Sequence, residues 1–353
     1  MILAHLDLDA FYAAVEELEQ PELRKVPVVV GGDPNGRGVV ATANYRARTF
    51  GIHSAMSAAE ARRRCPHAVF IRPRHRLYST YARAVWTAIQ EVVPTVERTG
   101  MDEGYLQVDE VAGDFLAARA VAEAVQAAVR GSTALSASLG VATCKVVAKV
   151  ASDRRKPGGL TVVPPGREAS FLAPFDIRLL PGVGPRSEER LRRAGVTTIG
   201  ALASLDDAAL RRLLSGKVGR LLHERARGVD PRQLETSVER ISLSREETFT
   251  DDVSDRGRLH EELRQMAREV AEFLAEKQQT ARTITSKLRY ADFTLRTRST
   301  TLPVGTDETE RIAALACSLL DRALADRPGA LRLVGVGLSG LEAHRQLEIR
   351  VTA

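Results

Sequence analysis

The chain reads as an α+β protein of several domains, and three observations carry that reading. Its 353 residues exceed what one hydrophobic core ordinarily organises. Strand-like and helical patterns intermingle over the first 165 residues, so that part is mixed α and β. The texture then changes twice, first to helical patterns alone and later to two long helices, each followed by strand-like sequence.

Taken in order, residues 2–8 are a short apolar run interrupted by acids, and 10–18 are helix formers closed by Pro21. That is a strand feeding a helix. Strand-like runs recur at 26–30, 38–43, 104–108, 135–141 and 160–163, with helical stretches at 57–64, 78–92, 116–129 and 145–152. Gly31-Gly-Asp33, followed by Pro34 and Asn35, predicts a hairpin turn. Residues 166–228 carry only helical patterns, broken by glycines at Gly182-Val-Gly184, Gly195, Gly200 and Gly216-Lys-Val-Gly219. Residues 229–241 are polar and hold no obvious element, which predicts a linker. Beyond them come helical patterns at 256–279 and 308–325 and strands at 281–290, 293–301 and 331–338, a separate α+β domain.

A net charge of +6 points to a polyanionic partner, although proteins that bind no nucleic acid share such a modest excess. Residues 151–230 hold 15 Lys or Arg against 9 Asp or Glu, so the helical module is basic. Residues 231–353 balance at 19 against 20, yet their acids crowd the helices while the strands carry Lys287, Arg289, Arg296 and Arg298. Such a domain can present one basic sheet face to a nucleic acid such as DNA. Cys65, Cys144 and Cys317 are odd in number and lack metal-ligand spacing, as expected of reduced thiols in the cytoplasm. Acids stand at the N-terminus where a signal peptide would be apolar, and no segment approaches the roughly 18 apolar residues of a membrane span.

Phosphoryl transfer from a nucleoside triphosphate requires charge to be neutralised on both the attacking and the leaving oxygen, which two divalent ions achieve. Magnesium prefers hard oxygen ligands, so acids at strand ends are the donors to look for. Asp7/Asp9 and Asp102/Glu103 are such pairs. Side chains alternate along a strand, so neighbouring Asp102 and Glu103 can both serve only from a turn, which Gly100 and Gly104 permit. Asp9 also suits a cap for the helix that starts at Ala10, and an isolated Asp102-Glu103 pair would suit a solvated turn.

Several blocks occur in one order: residues 5–16 (HLDLDAFYAAVE), 43–52 (ANYRARTFGI), 101–106 (MDEGYL), 138–142 (SLGVA) and 145–153 (KVVAKVASD), then 180–185 (LPGVGP) and 333–341 (LVGVGLSGL). In order and spacing they resemble the signatures of Y-family translesion DNA polymerases, in the polymerase IV branch, over nearly the whole chain. The resemblance implies a right-handed polymerase: palm at 1–18 and 75–165, fingers at 19–74, a helical thumb with helix-hairpin-helix at 166–230, a linker at 231–241 and a C-terminal α+β little finger at 242–353. It implies error-prone synthesis on a primer without proofreading.

By motif position it implies that Asp7, Asp102 and Glu103, with the Leu8 backbone carbonyl, hold two Mg2+ ions for which Mn2+ can substitute. Asp9 takes a structural acid position. Tyr12 matches the steric gate against a ribose 2′-hydroxyl, with Phe11 beside it nearer to a core aromatic. Tyr45, Arg48 and Lys156 match triphosphate-binding positions, and one helical turn puts Tyr45 and Arg48 on one side. Ala41 and Thr42 would leave room over the incoming base. Gly182 and Gly184 resemble a helix-hairpin-helix turn whose amides meet a DNA phosphate, with Gly216 to Gly219 as a degenerate second copy, and either glycine set also suits plain helix termination. The implied partners are primer-template DNA and deoxynucleoside triphosphates, bound by a cytoplasmic monomer.

The chain departs from the family at Gly104, where alanine is usual, at Thr143-Cys144, where Pro-Asn is usual, and at Arg98, where proline is usual. Its tail, Gln346-Leu-Glu-Ile-Arg350, keeps the start of a sliding-clamp peptide and loses the aromatic end. Two other readings stand beside the polymerase: a noncatalytic DNA-binding relative, and a helix-hairpin-helix repair nuclease that would leave the first 160 residues unexplained.

Overall fold

The structure, a computed structural model, describes residues 1–236 and 240–344. The tail motif at 346–350 and part of the linker fall outside the described residues. The chain divides into two compact units, Met1–Ser237 and Val238–Ala353.

The first unit contains β1 (Leu3–Leu8), β2 (Val28–Gly31), β3 (Val40–Ala43), β4 (Val69–Ile71), β5 (Val96–Arg98), β6 (Glu103–Gln107), β7 (Ala137–Ala142) and β8 (Leu160–Val162). Five of them form a sheet in the order β5-β6-β1-β7-β8, and β3-β2-β4 form a second. β1 lies in the middle because Leu3, Ala4, Leu6 and Leu8 bury both of its faces. Helices His75–Val92 and Phe115–Thr133 bury Tyr78, Val85, Trp86 and Ile89, and Ala118, Ala122, Val125 and Val129, in the same core as Leu6, Leu106 and Leu139. Helix Lys145–Ser152 packs on β1 and β7. Gly140 allows this approach, since a Cβ there would stand 2.1 Å from the Ala148 carbonyl oxygen.

The helical module follows, and β4 and β5, three residues each, are strands the pattern alone does not announce. Residues 32–39 connect antiparallel β2 and β3 as the expected hairpin, with the Asp33 carboxylate accepting from the Asn35 amide at 2.8 Å. Residues 229–236 hold no helix or strand, as expected, but they are fastened. Asp230 is buried and binds Arg232 through both oxygens at 2.8 and 2.7 Å, and the Glu235 amide donates to Glu97 at 2.7 Å.

In the second unit β9 (Ser242–Val253), β10 (Gln279–Tyr290), β11 (Leu295–Thr306) and β12 (Leu331–Ala343) form an antiparallel sheet in the order β11-β10-β12-β9. Helices Arg256–Glu276 and Thr309–Asp326 cover one face and close a separate core. β9 is absent from the sequence reading, because only Leu243, Phe249 and Val253 of its twelve residues are buried.

The register corrects the single basic face. Directly opposed residues share a face, so Lys287 opposite Thr297 and Arg289 opposite Leu295 lie on the open side. Arg296 opposite Leu288 and Arg298 opposite Ser286 lie on the helix side, where Leu288 and Ser286 are buried and Arg298 reaches Asp326 at 2.5 Å. The open face is mostly small and polar, with Ser244, Gly337, Thr285 and Ser299 in one row, and its Lys287 is held by Glu246 at 2.7 Å.

Candidate active site

β1 delivers Asp7 at its C-terminal end, and antiparallel pairing sets Asp7 opposite Glu103 on the same sheet face. Asp102 sits in the bend just before β6, so the neighbouring acids escape the alternation of a regular strand. The bend is fixed by the Leu8 amide donating to the Asp102 carbonyl at 2.8 Å and by the Thr99 and Gly100 amides donating to the Glu103 carbonyl, each at 3.1 Å.

A cavity of about 480 Å³ opens beside these acids. Asp7, Leu8, Phe11, Tyr12, Ala41, Thr42, Tyr45, Arg48, Asp102 and Lys156 line it, together with Ala10 and Ser54. Every nucleotide-site residue singled out from sequence is thus gathered in one place. Glu103 is outside that lining: its carboxylate lies 2.5 Å from the Lys149 ammonium and 3.6 Å from His5 Nε2. Among the described residues no three acid, His or Cys side chains stand close enough together to hold a metal ion as they are placed.

Burial raises the Asp7 and Asp102 carboxyls above the usual range, partly offset by Lys156 and, for Asp102, by a backbone hydrogen bond. Asp102 pushes Asp7 further up, and Glu103 does the same to Asp102. Acids whose charged forms are disfavoured by burial and by one another suit a divalent cation, which would relieve both effects. Cationic side chains already answer them. The Lys156 ammonium lies 2.7 Å from Asp7 and 2.8 Å from Asp153, and although burial works the other way, these partners raise its pKa. His5 is held neutral by burial and by the neighbouring ammonium groups of Lys149 and Lys156.

The opposite wall begins at Asn44, whose side chain caps helix Tyr45–Arg48 by accepting from the Ala47 amide at 2.9 Å. The short helix brings the Arg48 guanidinium 4.9 Å from the Tyr45 ring centroid, on one side as the spacing predicts. Burial and Asp9 push the Tyr45 phenol up, so it stays a donor. The Tyr12 ring stacks on Tyr78 at 4.1 Å, and Tyr78 donates to the buried Glu16 carboxylate at 2.6 Å. Phe11 is buried beneath that stack while still touching the cavity.

Asp9 is not a helix cap. The residue preceding the helix is Ala10, which makes no side-chain cap, and the Asp9 carboxylate points inward. It accepts from Ser136 at 2.7 Å, Ser138 at 2.8 Å, the Gly158 amide at 2.7 Å and Tyr45 at 3.2 Å. It therefore ties the Tyr45 wall of the cavity to the sheet, as a structural acid would.

Of the residues not singled out, His5 was detectable, since period two puts it on the face of Asp7. Lys149 stands one helical turn after Lys145 and shared that chance. Ser136 and Ser138 give no local signal. In the helical module Gly182 has a φ of 102° and Gly184 precedes helix Pro185–Arg193, the expected turn. Gly216 and Gly219 lie in the first turn of helix Gly216–Ala226 and so do not terminate it.

Known proteins share this chain's sequence and fold over nearly its whole length. The impB/mucB/samB family profile matches residues 6–153, its C-terminal domain 240–349, and the thumb domain of DNA polymerase-iota 178–230. DNA polymerase IV of Halorhodospira halophila is 44% identical over 345 residues, covering 98% of this chain and 96% of that protein. The Streptomyces coelicolor DNA polymerase IV is 40% identical over 349 residues, 98% of this chain and 72% of the other. Among solved structures, a Y-family polymerase chimera, Dbh-Dpo4(243-245)-Dbh, superposes with a TM-score of 0.88 at 24% identity over 97% of this chain and 100% of that one. DinB from Sulfolobus solfataricus gives 0.66 at 25% over 96% and 98%. These matches leave no place for the repair-nuclease reading, and the chain belongs to the Y family of DNA-directed DNA polymerases, in the DNA polymerase IV branch.

Proposed function

We propose that the cavity binds a deoxynucleoside triphosphate and that the chain adds it to a primer 3′ end by two-metal phosphoryl transfer, in error-prone translesion synthesis without proofreading. The observation that carries this reading is the convergence of Asp7 and Asp102 with Tyr45, Arg48 and Lys156 on one cavity. Two Mg2+ ions, or Mn2+ in their place, would supply charge neutralisation on the attacking and leaving oxygens when bound. Asp7, Asp102 and the Leu8 carbonyl would hold them, joined by Glu103 once it leaves Lys149.

The chain's own residues do the rest. Arg48 offers a planar fork and Tyr45 a hydroxyl donor to phosphate oxygens. Lys156, now paired with Asp7, has only to turn from carboxylate to phosphate to add its charge there. Tyr12, braced by Tyr78, blocks a 2′-hydroxyl, and small Ala41 and Thr42 leave the base loosely covered, which lowers selectivity and tolerates damaged templates.

The divisions into palm, fingers, thumb and little finger are proposed as the sequence places them. Primer-template DNA would meet the Gly182–Gly184 turn through backbone amides, and Lys287 and Arg289 on the open sheet face. Arg296 and Arg298 would reach DNA only from the other side. Such contacts carry no sequence information and weaken with salt. A monomer is proposed, and docking on a sliding clamp through residues 346–350 is testable by pull-down with and without the tail.

Primer extension with single deoxynucleotides in Mg2+ tests the reading. Asp102→Ala should reduce kcat by at least about a thousandfold, and extension at the wild-type rate would overturn the assignment. Tyr12→Ala should admit ribonucleotides, and unchanged sugar selectivity would remove the gate from Tyr12.

A further inference from the structure

Two departures from the family pattern, Gly104 and Arg98, meet at one side chain outside the cavity, Trp86. This residue lies on helix His75–Val92 and is buried, with its ring against the end of β6 that carries the acids. Its Nε1–H donates to the Met101 carbonyl at 2.9 Å. That carbonyl belongs to the peptide joining Met101 to Asp102, so the bond fixes the plane from which the Asp102 side chain departs. A Cβ at Gly104 would stand 2.6 Å from Trp86 Cη2, 2.5 Å from the Glu97 carbonyl oxygen and 3.3 Å from the Arg98 Cα. No alanine fits there while the indole keeps its place. Arg98, opposite Gly104 in the β5–β6 pairing, covers the indole with its guanidinium 5.2 Å from the ring, and Gln90 holds it at 2.9 Å.

We infer that Trp86 is a positioning residue for the reaction: it sets the Met101–Asp102 peptide, and Gly104 is the space that admits it. Resting on the proposed metal role of Asp102, this inference names a device beneath the acids that none of them contains. The rest of the bend is tied to β1 and to its own loop by backbone bonds and by the Thr99 hydroxyl, which donates to the Glu103 carbonyl at 3.2 Å. The Met101 carbonyl is where a side chain from a separate helix holds the bend.

The experiment is a double-mutant cycle on the full chain, with Trp86→Phe, Gly104→Ala and both together. Phenylalanine keeps an aromatic filler but lacks both the donor and the Cη2 atom. Each single variant should lower kcat about tenfold, the effect of one missing hydrogen bond at a reacting group. KM for the deoxynucleotide should move less than about threefold, because Tyr45, Arg48 and Lys156 lie on other elements. Mn2+ binding by calorimetry without DNA should weaken in parallel. The double variant should lose less than the product of the two single losses, since the changes share the Cη2 contact while the clash of a Cβ at position 104 with the Glu97 carbonyl remains in both. Multiplicative losses, or a Trp86→Phe variant with wild-type kcat and Mn2+ affinity, would overturn the inference while leaving the Asp102→Ala result standing.

Should a variant fail to fold, the wild type supplies the answer. Trp86 is the chain's only tryptophan. Its emission should change saturably with Mg2+ and should not respond in Asp102→Asn. Emission indifferent to Mg2+ in a wild type whose extension depends on Mg2+ would sink the proposal.

Discussion

At the scale of single residues the site stores charge against itself. Asp102 is partly buried and its carboxyl is raised from 3.8 by burial first and by Glu103 as well, so the native state holds a proton more readily than the unfolded chain does. With a chelator present, the contribution of Asp102 to stability should therefore rise as pH falls through the window just above 3.8, the reverse of an acid held by an ion pair. Asp102→Asn mimics the protonated form. It should raise the melting temperature of chelated protein at neutral pH by about 1 to 3 °C while abolishing extension. Scanning calorimetry from pH 4 to 7 checks this, and a variant that melts below wild type throughout would refute it. Residues that line the cavity were legible because chemistry restricts their type: acids at a strand end, and a Tyr and an Arg one turn apart. The partners that hold them were not. Ser136, Ser138 and Gly158 reach Asp9 from more than a hundred positions away, and no local pattern encodes that.

Among elements, legibility followed burial. Helix Lys145–Ser152 and β1 are read from sequence because apolar runs of that length belong in a core, whereas β9 carries its acids and Arg245 along a sheet edge and resembles a loop. The start of helix Lys145–Ser152 accounts for a further departure. Thr143 donates to Glu168 at 2.6 Å and the Cys144 thiol donates to the Gly228 carbonyl at 3.3 Å, so the residues replacing Pro-Asn fasten the sheet to the helical module. Lys145, almost wholly buried, pairs with Glu97, which also accepts the Glu235 amide. Removing one member of a buried pair strands the other charge. Lys145→Met should cost about 3 kcal/mol in urea unfolding and should open residues 230–236 to limited proteolysis. Adding Glu97→Leu to it should recover most of the stability. If the single variant costs under about 0.5 kcal/mol, the pair is not what anchors this segment.

Over the whole molecule, the chemistry and the second core are separable. Every residue lining the cavity lies before residue 157, and the core of the second unit draws on no residue before Leu243. The composition already suggested this partition, since a basic helical module gives way to a balanced C-terminal segment. The face that segment would offer to DNA was misread, because periodicity along one strand does not give the register that places Arg296 and Arg298. Nucleotide selection and DNA grip should therefore come apart on truncation. A chain of residues 1–236 should still incorporate deoxynucleotides at saturating primer-template, with KM for the nucleotide within about threefold of the full chain's. Its DNA affinity should fall at least tenfold at roughly 0.1 M salt, and its log–log salt slope should shrink by about one unit for each phosphate it no longer neutralises. Fluorescence anisotropy at several salt concentrations measures both quantities. Equal slopes for the two chains would mean that Lys287 and Arg289 touch no phosphate. Failure of the short chain to incorporate even when DNA is saturating would mean that the nucleotide site is not self-sufficient in the first unit, and the separation drawn from its lining residues would be wrong.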